Sequence, residues 1–332
     1  MAARSTDLHL IRAARRSFAG PAELLRDPVH RARSGRYLAD LARPYGLEVP
    51  EGLFDAASES LGQSYAEMAE TLIRALVPPD EPVDLLVLAF SSHDMLPGRA
   101  TATYLSHVCP GTPLSFALCD QGSAAAFSGL RIARAYASSA GCRRALLIAV
   151  EQAVLPYDTP APGPARHQGV AMLYSDTPAA SGSAPAPRGS TTPPPDVTAP
   201  PRDTATAADR GGDVLDVTAR VGVVRQHPDV AFDDVATLAA SELAALSTGR
   251  PDVRVVLNAD LAAAWPTHPV ERVTGTPPGQ PTTGLWWSLL DELATGPDRS
   301  RLVVAADYDP DLRYLCLVGW ENAAASESGG QG

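Results

Sequence analysis

The stretch LSFALCDQGSAAAFSGLRIA, residues 114–133, decides the fold. Leu114 to Cys119 is a short apolar run of the kind that forms a strand buried on both faces. Gln121-Gly122-Ser123 is a turn of small and polar residues. From Ser123 to Ser139 the chain is Ala-rich and strongly helix-forming. The next apolar run, RALLIAV at 144–150, reads as another buried strand. Strand, tight turn, helix and strand in that order form the repeating unit of an α/β protein. Ser123 falls at the N-terminus of the helix, where unpaired N–H groups and the helix dipole favour negative charge. A serine there serves either as a nucleophile at a strand-to-helix turn or as a helix N-cap.

The same alternation extends outward. Helices are expected over Ser64–Leu76, where Met68, Leu72 and Leu76 recur at four-residue spacing, and over Ala100–Val108. Val83–Phe90 and Val170–Tyr174 read as buried strands. Further on, Asp213–Val224, Val253–Asn258, Arg301–Ala306 and Leu312–Val318 read as strands, and Phe232–Leu246 and Gly284–Leu293 as helices. Between the two series lies a segment dominated by Pro, Ala, Ser, Thr and Gly, with Val197 its one large apolar residue. It cannot bury enough surface to offset its ordering entropy. The division expected is therefore a first half over 1–176, a disordered insertion over 177–212, a second half over 213–322 and a loose tail over 323–332.

Composition removes several function classes. The 332 residues carry a formal charge of -11, a field that repels phosphate backbones, so no nucleic acid is expected as a partner. All 27 basic side chains are arginine; without lysine, Schiff-base catalysis and a P-loop are excluded. The four cysteines (109, 119, 142 and 316) include no CxxC pair, so neither a metal nor another cofactor is expected. No apolar run of 18 residues predicts a membrane span, and Met1–Arg16 lacks the apolar core of a secretory signal, which makes a reducing cytoplasm the default compartment.

The quoted stretch, continued as FALCDQGSAAAFSGLRIARAYASSAGCRRALLIAVEQ, resembles the 3-oxoacyl-ACP synthase III (ketosynthase III) branch of the thiolase superfamily. VDLLVLAFSSHDMLPGRATATYLSHV resembles that family's preceding strand, turn and helix. VVLNADLAAA, GQPTTGLWWSLLDEL and LVVAADYDPDLRYLCLVGW are similar to its segments carrying the His, the Asn and the closing strand pair. The likeness runs over most of Asp84–Trp320, through the order and spacing of elements more than through any one motif. It implies a five-layered α/β/α/β/α fold of two similar halves. It also implies a homodimer pairing strands near Leu114–Cys119, or a heterodimer with another ketosynthase.

Carried over residue by residue, the family's nucleophilic Cys falls on Ser123 and its Asn on Gln280. Its His falls on Leu257, or on Asn258 with a slip of one. Cys119 reads as a packed core residue and Asp120 as an alternative cap of the helix. The family's glycine-rich turn is replaced by Asp307-Tyr308-Asp309-Pro310. The resemblance thus implies an acyltransferase acting on acyl-CoA or acyl carrier protein thioesters in polyketide or other specialised metabolism, with the acyl group on Ser123 and decarboxylating condensation lost. A serine needs a base, and His93 and His268 are the candidate displaced bases. The alternative is an inactive subunit that shapes an active ketosynthase or binds a carrier protein. Trp286 and Trp287 read as core or dimer contacts, and Glu151-Gln152 as the start of a loop.

Overall fold

The structure, a computed structural model, describes residues 7–49, 54, 62–96, 98–139, 141–154, 163–178, 212–268, 270, 272–295 and 301–322. In the first half the strands are β1 (His9–Ser17), β2 (Leu85–Ala89), β3 (Leu114–Leu118), β4 (Arg144–Glu151) and β5 (Gln168–Ser175). Its helices are α1 (Pro28–Ala42), α2 (Tyr65–Leu76), α3 (Thr101–Val108) and α4 (Ala125–Ser139). The second half holds β6 (Gly212–Val221), β7 (Arg225–His227), α5 (Phe232–Ser247), β8 (Asp252–Leu257), α6 (Ala259–Ala264) and β9 (Arg272–Gly275). It closes with α7 (Gly284–Ala294), β10 (Arg301–Asp309) and β11 (Tyr314–Asn322).

The two halves share one topology. The first orders its strands β3-β2-β4-β5-β1, and the second β9-β8-β10-β11-β6. In each, the first three are mutually parallel and the last two are added antiparallel. Antiparallel pairing of β1 with β6 joins the halves into one continuous ladder.

Side-chain alternation builds the layers. Along β2, Leu86 and Leu88 pack with Leu72, Ile73 and Leu76 of α2 on one face. Leu85, Val87 and Ala89 point the other way, into a cluster holding Phe127 of α4 and Trp286 of α7. In β10, Val303 and Ala305 enter that same central cluster, while Leu302, Val304 and Ala306 face outward to Val235, Ala239 and Leu261 of α5 and α6. The order is therefore helix, sheet, central helices, sheet, helix, the five-layered arrangement of two similar halves. A strand covered by helices on both faces must be apolar at every position, which is why these strands read as unbroken runs. At the centre, Trp286 stacks against Phe127 and Trp320 with ring centroids at 4.9 and 6.0 Å.

Three expectations are corrected. β3 is not buried: among the described residues it is the last strand of its sheet and pairs only with β2, which leaves Leu114 half exposed and Cys119 exposed. Cys119 is thus no core residue. The N-terminal segment, read for targeting alone, supplies β1, whose pairing with β6 joins the halves; Arg12 and Arg15 break its apolar pattern, the latter reaching Asp291 and stacking on Trp287. Strand β6 starts at Gly212, inside the stretch assigned to the insertion; 179–211 and the tail from 323 lie outside the described residues. Helix α2 begins as its sequence dictates, with Ser64 and Glu67 forming a reciprocal capping box.

Candidate active site

Period two along β10 puts Asp307 and Asp309 on the same face as Val303 and Ala305, towards the central helices. There they meet the turn that starts α4. Gly122–Ala124 forms a single 3-10 turn, entered through Asp120 and Gly122, both with positive φ (59° and 49°). Ser123 is buried. Its Oγ donates to Asp307 Oδ2 at 2.5 Å and lies 3.5 Å from Asp309 Oδ2, and its backbone N–H donates to Asp309 Oδ2 at 3.0 Å. Ser123 is therefore not a side-chain N-cap, and Asp120 does not cap the helix either; the carboxylate of Asp309, from the other half, takes the N–H. Gly122 is required here, because a Cβ would collide with Asp309 Oδ2 as well as strain the left-handed backbone.

Asp307 is the unusual group. It is 1% exposed, and its Oδ1 has no hydrogen-bond partner. Burial first, then the nearby charges of Asp309 and Asp260, push its pKa up to about 8, against the opposing hydrogen bond from Ser123. Asp309 is held by its Oδ1, which accepts from the N–H groups of Asp311 and Leu312. The end of β10 thus delivers two carboxylates to the serine.

The other half carries a counterpart. Glu151 ends β4 on the same face as Leu147 and Ala149, and is fully buried. It accepts from the N–H groups of Thr282 and Thr283 at the start of α7 (3.0 and 3.1 Å), from the Thr283 hydroxyl, and from Gln280 Nε2 at 2.6 Å. Burial raises its pKa, and these donors oppose the rise. Each half therefore lends a carboxylate from the third strand of its sheet order, β4 or β10, to the helix N-terminus of the other, and Glu151 is no loop start but a buried tie. Glu151→Ala should cost about 3 kcal/mol or more, since it strands two buried N–H groups; a denaturant titration measures it, and a change under about 1 kcal/mol would contradict this role.

The remaining expected residues sit elsewhere. Gln280 does not bond to Ser123. Leu257 faces the outer cluster, away from α4. Asn258 caps α6 by accepting from Leu261 N–H, and its side chain also accepts from Tyr308 N–H and donates to Tyr308 carbonyl, pinning β10 beside Asp307. His93 is exposed and lines a separate cavity of about 420 Å³ with Tyr37, Tyr65 and Phe90. His268 packs edge-on against Trp265, and burial lowers its pKa. Neither histidine bonds to Ser123. The base candidate, Asp307, went unnoticed as a base in the residue pattern, although its parity along β10 placed it on the central face. Among the described residues no group of three or more His, Cys, Asp or Glu could hold a metal ion, and no helix is long and apolar enough to cross a membrane.

No family model and no curated protein matches the sequence. Solved structures do match, over nearly the whole chain. ChlB3, named as an acyltransferase, is 17% identical, with 96% of this chain and 98% of that one covered at a TM-score of 0.55. AbyA1, a tetronic acid condensing enzyme, is 16% identical, with 95% and 100% covered at 0.55. The 3-oxoacyl-(acyl carrier protein) synthase III of Pseudomonas aeruginosa PAO1 is 14% identical, with 96% and 99% covered at 0.51. The chain has the thiolase-type fold of these ketosynthase III-like proteins.

Proposed function

We propose that this protein is an acyltransferase of the ketosynthase III type that carries the acyl group on Ser123, taking it from an acyl-CoA or acyl carrier protein thioester in polyketide or other specialised metabolism. The observation that carries the reading is the 2.5 Å hydrogen bond from the Ser123 hydroxyl to a buried carboxyl whose pKa is raised to about 8. Such a carboxylate is a far better base than an ordinary aspartate near neutral pH. In the acylation step the hydroxyl proton passes to Asp307 Oδ2 and the Oγ–acyl bond forms. The thioester C–S bond breaks, and the leaving thiolate takes the proton back from Asp307. Transfer to the acceptor repeats these events in reverse, with the acceptor in the place of the thiol. The two halves of the fold form one unit, and the open edge of β3 supports homodimer pairing through that strand.

A specific observation supports a second reading. Asp309 occupies the Ser123 N–H that would otherwise stabilise an oxyanion. If that contact never opens, the protein is a non-catalytic subunit that works beside an active ketosynthase.

Intact-mass measurement after incubation with a panel of acyl-CoAs and acyl carrier proteins decides between the two. A mass increase mapping to the Ser123 peptide is expected; no adduct with any donor, together with binding to a second ketosynthase, would establish the subunit reading. Malonyl thioesters should release no carbon dioxide at a ketosynthase-like rate, because Leu257 faces outward and Asn258 is committed to Tyr308. Rapid release would contradict the assignment of these positions.

A further inference from the structure

β10 outruns β8 on the edge they share. Their parallel pairing ends at Ala306 opposite Leu257, one residue short of Asp307, whereas the pairing of β10 with β11 continues to Asp309. In a parallel ladder the residue after Leu257 would donate its N–H to Ala306 and offer its carbonyl to the N–H of Tyr308. Asn258 makes the first of these bonds, its N–H donating to the Ala306 carbonyl at 3.1 Å. Its carbonyl is already taken, because it accepts from Ala262 N–H at 3.0 Å in the first turn of α6. The side chain supplies the missing rung. Asn258 Oδ1 accepts from Tyr308 N–H at 3.1 Å and from Leu261 N–H at 2.9 Å, and Nδ2 donates to the Tyr308 carbonyl at 3.0 Å. Of the good helix-capping side chains, only asparagine combines these roles: aspartate lacks the donor, and serine and threonine offer a single oxygen.

The N–H that Asn258 holds belongs to the peptide joining Asp307 to Tyr308, and the carbonyl to the peptide joining Tyr308 to Asp309. Asp307 depends on this grip. Its side chain has one hydrogen bond among the described residues, from Ser123, and its Oδ1 has none. The place of its carboxyl is therefore set by its backbone. Asp309 differs, since two N–H groups of its own turn, those of Asp311 and Leu312, hold its Oδ1. We propose that Asn258 is the positioning residue of this site: acting through the Tyr308 backbone, it holds the Asp307 carboxyl on the Ser123 hydroxyl. This deepens the acyl-transfer reading above and rests on it. A base gains its rate from being fixed within hydrogen-bond reach of the proton it removes, so a side chain that fixes the base contributes to that rate without touching substrate.

The test is Asn258→Ser, which keeps an oxygen to cap α6 but gives up the grip on Tyr308. Single-turnover formation of the Ser123 ester is followed with one acyl-CoA, over a range of concentrations and from pH 6 to 9. The maximal rate should fall about tenfold to a hundredfold, the loss that a misplacement of about 1 Å brings, with the half-saturating concentration within about threefold of wild type. The pH at which the rate levels off should move down, because a loosened Asp307 gains water and ionises more readily. The titratable groups facing Asp307, namely Asp309 on its own strand, Asp260 on α6 and Cys316 on β11, are the same in both proteins. Asn258→Asp, which keeps both accepting bonds and loses only the donation to Tyr308, should give an intermediate rate and serves if Asn258→Ser does not fold. Because Asn258 acts through Asp307, adding Asn258→Ser to Asp307→Asn should slow that variant by less than about threefold. Equal rates and pH profiles in wild type and Asn258→Ser, or costs that multiply in the double variant, overturn the inference. If wild type takes no acyl group from any donor, the acyl-transfer reading fails, and the grip on Asp307 is read from stability instead. The loss of stability between pH 4 and pH 9 should then be smaller in Asn258→Ser than in wild type; an equal loss overturns the positioning role as well.

Discussion

Ser123→Ala should abolish the acyl adduct, and Asp307→Asn should slow its formation by about 10²–10⁴, the usual contribution of a positioned base. Asparagine keeps the acceptor oxygen for the Ser123 hydroxyl but cannot take its proton. The two variants therefore separate attack from proton removal. Ser123 makes no side-chain cap, but alanine leaves the buried Asp307 carboxyl without its hydrogen-bond partner, a cost of about 1–3 kcal/mol that a denaturant titration of the variant reads separately from the chemistry. Single-turnover acylation followed by intact mass gives both rates. An adduct that persists in Ser123→Ala and maps to Cys119 would displace the nucleophile to the strand end, where Cys119 is exposed but its thiol pKa is raised, by burial first and then by Asp120. An Asp307→Asn rate within threefold of wild type would remove Asp307 as the base.

The same aspartate should set the pH dependence of stability. Its carboxyl has an ordinary pKa of 3.8 in the unfolded chain and about 8 in the fold, because burial disfavours the charged form. Between these values the folded state holds the proton more tightly, so its contribution is fully present below about pH 4 and is lost as pH rises to about 8. A difference of that size corresponds to about 6 kcal/mol across the window. Asp307→Asn removes the titration. Its stability should match wild type near pH 4 and exceed it by several kcal/mol at pH 9. Denaturant midpoints at pH 4, 6, 8 and 9 measure the divergence. Parallel curves for the two proteins would mean that Asp307 is charged in the fold at neutral pH.

Much of the fold was legible because its strands are covered on both faces. VDLLVLAF and RALLIAV have no polar face to confuse the pattern, and the Ala-rich run after Ser123 leaves little but helix. What escaped were elements whose apolar signal is weak. β1 carries arginines that find partners only in the folded protein, and β9 is four residues long. β3 reads as buried, yet its position at the sheet edge is a property of topology, which no local run encodes. The site was half legible. Ser123 was found from the turn; Gln280 was placed beside it by resemblance, whereas its amide is held by Glu151. The carboxylates that reach Ser123 lie 184 and 186 residues away. Their sequence signal was the alternation along RLVVAADYD, which sets 303, 305, 307 and 309 on one face; it becomes informative only once that face is known to meet α4. Glu151 was missed for the same reason, as one polar residue at the end of an apolar strand whose partner is a helix N-terminus more than a hundred residues on.

The central claim is that the Asp307 carboxylate takes the proton of Ser123. The pH dependence of Ser123 ester formation in a single turnover with one acyl thioester tests it most directly. Only the deprotonated form of Asp307 can act, so the rate should rise with pH, with a slope approaching one on a logarithmic scale, and level off near pH 8; at pH 7 it should be about a tenth of its plateau. Asp307→Asn should show no such rise. A wild-type rate that is flat between pH 6 and 9, or a rise of the same shape in Asp307→Asn, would contradict the assignment.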